Sequence, residues 1–128
     1  MSIELDHLIL RVNDAEESVA FYRDVLGLRD EGRREPFSLL RVSPGLTLQL
    51  AAWGTEGGEH LAFAMDAAEF EATFERIRSA GIAYGDGFHS VGNGKGPGRE
   101  SGSRGEGLAV YCFDPNRHLI EIRSYECG

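Results

Sequence analysis

The chain carries one pattern twice, and a repeat of this kind leaves few folds open. Residues 3–12, IELDHLILRV, alternate: Leu8, Leu10 and Val12 share one face and Leu5, His7, Ile9 and Arg11 the other, which is the period of a strand. Asn13 or Asp14 then caps a helix over 15–26, where Val19, Tyr22 or Arg23, and Leu26 recur at helical spacing beside Phe21 and Val25, and Gly27 closes it. Two strands follow, 37–42 and 46–52, around the turn Ser43-Pro44-Gly45. The pattern restarts at His60. HLAFAM reads as a strand with Leu61, Phe63 and Met65 on one face and His60, Ala62 and Ala64 on the other; Asp66 caps a helix to about Ala80, and Gly81 stops it. Aligning His7 with His60 brings the helices into register, and aligning the two closing hairpins sets Gln49 on Glu121. Each half is a βαβββ unit. The chain is expected to form one α+β domain of two modules, about residues 1–56 and about residues 57–128.

The closing hairpin, GLAVYCFDPNRHLIEIRSY over 107–125, is the most informative stretch. Two apolar runs, Leu108 to Phe113 and Leu119 to Ile122, flank the turn Asp114-Pro115-Asn116-Arg117. Alternation sets Ile120 and Ile122 on one face and Leu119, Glu121 and Arg123 on the other. A carboxylate in so apolar a strand needs a cation, a hydrogen-bond donor or water. If the two units pair about a pseudo-twofold axis, His7 and Gln49 from the first and His60 and Glu121 from the second face one concave surface. Two imidazoles, a carboxylate and an amide oxygen suit Zn²⁺, Ni²⁺, Co²⁺, Mn²⁺ or Fe²⁺, with coordination positions left for water or substrate. Singly, a strand histidine is more often structural than a ligand; it is the coincidence at repeat-equivalent positions that makes a site. His118, in the turn, reads as structural.

The second half carries an insertion that the first lacks, the glycine-rich stretch 85–107. Its composition predicts a mobile excursion, either a surface loop or a lid whose Lys95, Arg99 and Arg104 offer charge to an anionic ligand. Its glycines have neither dinucleotide-binding nor Walker spacing. The net charge of −8 and pI near 4.9 argue against nucleic acid or an anionic membrane as partner. No apolar run approaches the roughly 20 residues of a membrane span, and no charged and apolar leader opens the chain, so a cytoplasmic location is expected. Cys112, within a strand, reads as packing and Cys127 as incidental, with no disulfide framework or zinc ribbon.

Over nearly its full length, in LDHLIL, FYRDVLGL, HLAFAM and above all YCFDPNRHLIEI, the chain resembles the vicinal oxygen chelate superfamily. That superfamily includes glyoxalase I, extradiol dioxygenases, methylmalonyl-CoA epimerase, fosfomycin-modifying thiol transferases and bleomycin-resistance proteins. The resemblance implies paired βαβββ modules forming a half-open barrel around a divalent metal, in a homodimer, with His, His and Glu as recurrent ligands. His7, His60 and Glu121 stand at those positions, and Gln49 stands where glyoxalase I and the epimerase have a fourth ligand. The resemblance leaves open whether the cup is built within one chain or across two.

Within the superfamily the remaining residues separate the chemistries. The epimerase's glutamate base falls at or near Leu39, and the thiol transferases' threonine falls at Ile9. Tyr111 matches the tyrosine that extradiol dioxygenases place ten residues before the last ligand, whereas their upstream histidine has no match beyond His89 in the insertion. Glyoxalase-type isomerisation loses least. The expected protein is therefore a metal-dependent, glyoxalase-like lyase or isomerase acting on a small oxygen-chelating substrate. Glu121 would be both ligand and proton shuttle, Tyr111 would hydrogen-bond the substrate, and Lys95, Arg99 and Arg104 would favour an anionic group. The alternatives are an extradiol-type dioxygenase and a metal-free protein that sequesters an aromatic ligand among Trp53, Phe37 and Tyr111.

Overall fold

A computed structural model describes residues 2–126, so that Cys127 lies outside the described residues. The chain divides into two compact units, residues 1–56 and 57–128. The first unit runs β1 (His7–Arg11), α1 (Ala15–Ala20), a π-helical segment (Phe21–Val25), β2 (Arg29–Arg34), β3 (Phe37–Ser43) and β4 (Leu46–Ala51). Its sheet has the order β1-β4-β3-β2, with β1 parallel to β4 and the other pairs antiparallel. Parallel neighbours need a crossover, and α1 supplies it, packing on β3 and β4. The helix starts as its sequence directs, with Asp14 accepting from the Glu17 amide at 2.9 Å. It ends one residue class wider, because the Leu26 amide donates to the Phe21 carbonyl at 3.2 Å. Phe21, Tyr22 and Leu26 are buried with Leu10, Val12, Leu40, Leu48 and Leu50. Gly27 leaves the helix at φ 82°.

β2 is the strand that periodicity misses. It reads RDEGRR and is exposed throughout, so no apolar alternation marks it. Backbone pairing with β3 holds it, together with ion pairs from Arg29 (3.2 Å) and Arg41 (3.1 Å) to Glu31.

The second unit runs β5 (His60–Ala64), α2 (Ala67–Ser79), β6 (Tyr84–Gly85), β7 (Gly98–Gly102), β8 (Gly105–Phe113) and β9 (Leu119–Ser124). Its sheet has the order β5-β9-β8-β6, with β7 also pairing β8 and with β5 parallel to β9. Asp66 caps α2 by accepting from the Glu69 amide at 2.8 Å, and Gly81 leaves it at φ 71°. α2 packs on β9, and its Phe70, Phe74 and Ile77 are buried along with Val110, Cys112, Ile120 and Ile122 of the sheet. His118 is structural as expected: it is buried, its amide donates to Asp114 Oδ1 at 2.8 Å, and its Nδ1 accepts from the Glu59 amide at 3.2 Å.

The glycine-rich stretch is not the structureless excursion expected over 85–107. It begins in β6 and ends in the β7–β8 hairpin, whose strands pair from Gly98 with Ala109 to Gly102 with Gly105. Gly85, Gly98 and Gly107 serve close approach of backbones. A Cβ on Gly98 would stand 3.0 Å from the Asp86 Cβ and nearer still to the Asp86 carbonyl. The α+β architecture of two βαβββ modules is thus present, with β7 added to the second. Among the described residues no helix is long and apolar enough to cross a membrane.

The burial pattern orders two substitutions. Ile122→Ala, at a fully buried position, is expected to cost about 2–5 kcal/mol. Asp66→Ala, which removes the α2 cap, is expected to cost about 1 kcal/mol. Urea unfolding midpoints of the two variants, at unchanged slope, check both the magnitudes and their order.

Candidate functional site

Strand register carries the repeat into the structure. In the first unit Gln49 pairs with Ile9, two residues after His7; in the second Glu121 pairs with Ala62, two residues after His60. Each unit therefore sets a histidine and an oxygen donor at the same relative step, on the sheet face that its helix does not cover. On β8, Tyr111 stands opposite Glu121 and Ala109 opposite Arg123. The small side chains of Ala62 and Ala64 leave that face of the second unit concave. A cavity of about 320 Å³ opens there, lined among others by His60, Ser103, Arg104, Glu121, Arg123 and Tyr125.

The Glu121 carboxylate is held from both sides. Its Oε1 is 2.9 Å from His60 Nε2, and its Oε2 accepts from Arg123 Nη1 at 2.6 Å. Arg123 is only 3% exposed. Its Nη2 donates to the Glu100 carbonyl at 2.9 Å and its Nη1 also reaches the Ser101 carbonyl at 3.5 Å. Its Nε is buried without a hydrogen-bond partner, and its guanidinium lies 4.6 Å from the centre of the Tyr125 ring. A carboxylate buried in an apolar strand required a counter-charge, and Arg123 is that counter-charge. Sequence reasoning missed it, although the alternation had already placed Arg123 on the face of Glu121.

Tyr111 is buried, with its ring centre 6.4 Å from that of His60. Burial, then the charges of Glu121 and Glu100, push its phenol up to about 12. It is a neutral hydrogen-bond donor at any physiological pH. Phe88 reaches the same place from the glycine-rich stretch, its ring centre 6.4 Å from Tyr111 and 4.1 Å from the ring of His89.

Of the three cations expected to meet an anionic ligand, Arg104 lines the cavity. Its guanidinium lies 4.5 Å from the centre of the Tyr125 ring, and its amide donates to the Tyr125 hydroxyl at 3.3 Å. Burial pushes the Tyr125 phenol up. The Arg104 amide, the Ser103 hydroxyl and the charges of Arg123 and Arg104 together outweigh burial and bring it below the ordinary phenol value. Arg99, on β7, pairs with Glu106 at 3.3 Å on the surface. Lys95 is exposed, in a turn where its amide donates to Asn93 Oδ1 at 2.9 Å.

In the first unit His7 is exposed, and its Nδ1 lies 2.8 Å from Asp6 Oδ2. A carboxylate on Nδ1 leaves Nε2 as the donor atom, the arrangement in which imidazoles bind metals. Gln49 is half-buried on the same face. Near it Phe37 and Trp53 stack edge to face at 5.8 Å, and Arg11 reaches the Trp53 ring at 5.5 Å.

His60 and Glu121 have the spacing of two donors on one divalent ion. Two donors each about 2.1 Å from one ion and at right angles stand about 3 Å apart, and His60 Nε2 and Glu121 Oε1 are 2.9 Å apart. Among the described residues, no three His, Cys, Asp or Glu side chains gather into one cluster.

Known proteins share this fold. The profile of the Glyoxalase/Bleomycin resistance protein/Dioxygenase superfamily matches residues 4–122. A lactoylglutathione lyase of Haemophilus influenzae is 33% identical, the match covering 94% of this chain and 91% of that one. The virulence protein STM3117 of Salmonella typhimurium is 27% identical over 94% of this chain and 83% of its own length. Among solved structures, oxidase ChaP-H2 is 29% identical and superimposes with a TM-score of 0.84, covering 100% of this chain and 98% of that one. The family profile, matching residues 4–122 of two modules with the same strand register, makes this chain a member of the glyoxalase/bleomycin resistance protein/dioxygenase superfamily.

Proposed function

We propose that this protein is a divalent-metal-dependent enzyme that oxidises a small, oxygen-chelating substrate of the catechol kind, in the manner of an extradiol dioxygenase. The observation that carries the reading is the Glu121 carboxylate, held at Oε1 by His60 and at Oε2 by Arg123. A glutamate that moves a substrate proton must swing between metal and substrate with an oxygen to spare. Glu121 has none, so its geometry favours a fixed ligand over the proton shuttle that the sequence suggested. His7, Gln49, His60 and Glu121 would hold the metal. The ion, as Fe²⁺, would supply a Lewis acid for two adjacent substrate oxygens and one-electron chemistry with dioxygen.

The chain's own groups supply the rest. Tyr111, neutral and facing Glu121 across the β8–β9 pair, donates a hydrogen bond to a substrate oxygen. Arg104 neutralises an anionic group in the cavity beside it. Phe88 lies beside Tyr111 and against His89, so the glycine-rich stretch brings aromatic rings to this place. Likeness to oxidase ChaP-H2 along the whole chain supports this reading. The 33% identity to a lactoylglutathione lyase keeps glyoxalase-type isomerisation as the second reading.

Protein reloaded anaerobically with Fe²⁺ is expected to bind about one equivalent per chain, with binding lost in both His60→Ala and His7→Ala, and, once dioxygen is admitted, to cleave catechols with uptake of one dioxygen per ring but not to isomerise hemithioacetals. Hemithioacetal turnover with Ni²⁺ or Zn²⁺, and none of catechols, would reverse the two readings. Absence of metal uptake would leave the sequestering protein. Mixing the two histidine variants decides where the half-sites meet: restored binding assigns the site to a homodimer, and no restoration assigns it to a single chain.

Tyr111→Phe removes one hydrogen bond to a charged oxygen, and the specificity constant is expected to fall about tenfold to a hundredfold. The same variant should lose a phenol that ionises near 12 in an ultraviolet titration. The folded chain holds this proton more tightly than the unfolded one, whose phenol titrates near 10.0. The associated stability is therefore fully present below that pH and is lost as pH rises through about 12.

A further inference from the structure

The metal-centre reading fixes which residues bind, and the following inference rests on it: we infer that Arg123 is a positioning residue that sets how many oxygens Glu121 can offer. Arg123 Nη1 sits on Oε2 at 2.6 Å. The guanidinium cannot drift, because Nη2 is bound to the Glu100 carbonyl and Gly102 lies flat against it. A Cβ on Gly102 would stand 2.5 Å from Arg123 Cζ and 2.7 Å from Nε. Only Oε1, on the His60 side, remains for a metal. Glu121 is thereby a one-oxygen ligand.

The consequence is a count of open positions. A Glu121 bound through one oxygen would take one position on the ion where a two-oxygen carboxylate would take two, so one more position would remain for a substrate with two oxygens. Arg123 thus protects a substrate position, and does so without touching substrate. The arrangement also ties the ligand to β7, since the carbonyls that anchor Arg123 belong to Glu100 and Ser101 of that strand.

The test uses full-length protein loaded with Co²⁺ and two probes, acetohydroxamate, which binds through two oxygens, and azide, which binds through one atom. Arg123→Met is expected to lose at least tenfold in acetohydroxamate affinity, to keep azide binding within about twofold, and to show one more oxygen in the cobalt shell by X-ray absorption. Arg123→Lys should recover part of the acetohydroxamate affinity. Gly102→Ala, which displaces the guanidinium without removing its charge, should shift the probes in the same sense and keeps the test open if Arg123→Met does not fold. Equal loss of both probes, or an unchanged cobalt shell in the folded variants, overturns the role of Arg123 alone. Failure of the unaltered protein to take up cobalt overturns the metal centre itself.

Discussion

In each unit the first strand lies parallel to the last, and this pairing determines what the rest of the unit can be. A parallel neighbour cannot be reached by a tight turn, so a helix must cross over, and it covers one sheet face while leaving the other bare. Leu10, Leu48, Leu50, Ile120 and Ile122 go to the covered face, and the alternate residues are what the open face receives. Because β1·β4 and β5·β9 share the same register step, both units present a histidine and an oxygen donor in the same relative position. Function is then a question of what occupies a few alternate positions.

Those positions carry a cost that the fold must offset. A buried carboxylate without a partner is strongly unfavourable, and here the compensation is built into the same strand, two residues on. Arg123 serves stability and chemistry together. It makes the buried Glu121 tolerable, and it occupies one of the two carboxylate oxygens. Tyr111 is tuned by the same surroundings, since burial and the Glu121 charge keep its proton in place.

Much of this was legible in the sequence, for physical reasons that differ by element. α2 was legible because Asp66, Gly81 and the helical spacing of Phe70, Phe74 and Ile77 agree. The strand positions of His7, Gln49, His60 and Glu121 were legible because alternation fixes the face and the repeat fixes the correspondence. β2 was not, since RDEGRR is held by pairing and surface charge and buries no face. β7 was not, since GRESG reads as solvated loop until a partner strand accepts it. Arg123 lay between these cases. Its face was known, but an arginine beside a predicted metal ligand gave no sign of being buried until its carbonyl partners on β7 were in place.

The most direct test of the account is the position of a metal in the folded protein, read by anomalous diffraction at the edge of the bound ion. The account predicts one peak bonded to His7 Nε2, Gln49 Oε1, His60 Nε2 and Glu121 Oε1, drawn from one chain or two, with Arg123 still on Glu121 Oε2. A peak bound elsewhere, or one from which Glu121 is absent while Arg123 keeps its carboxylate, would contradict it.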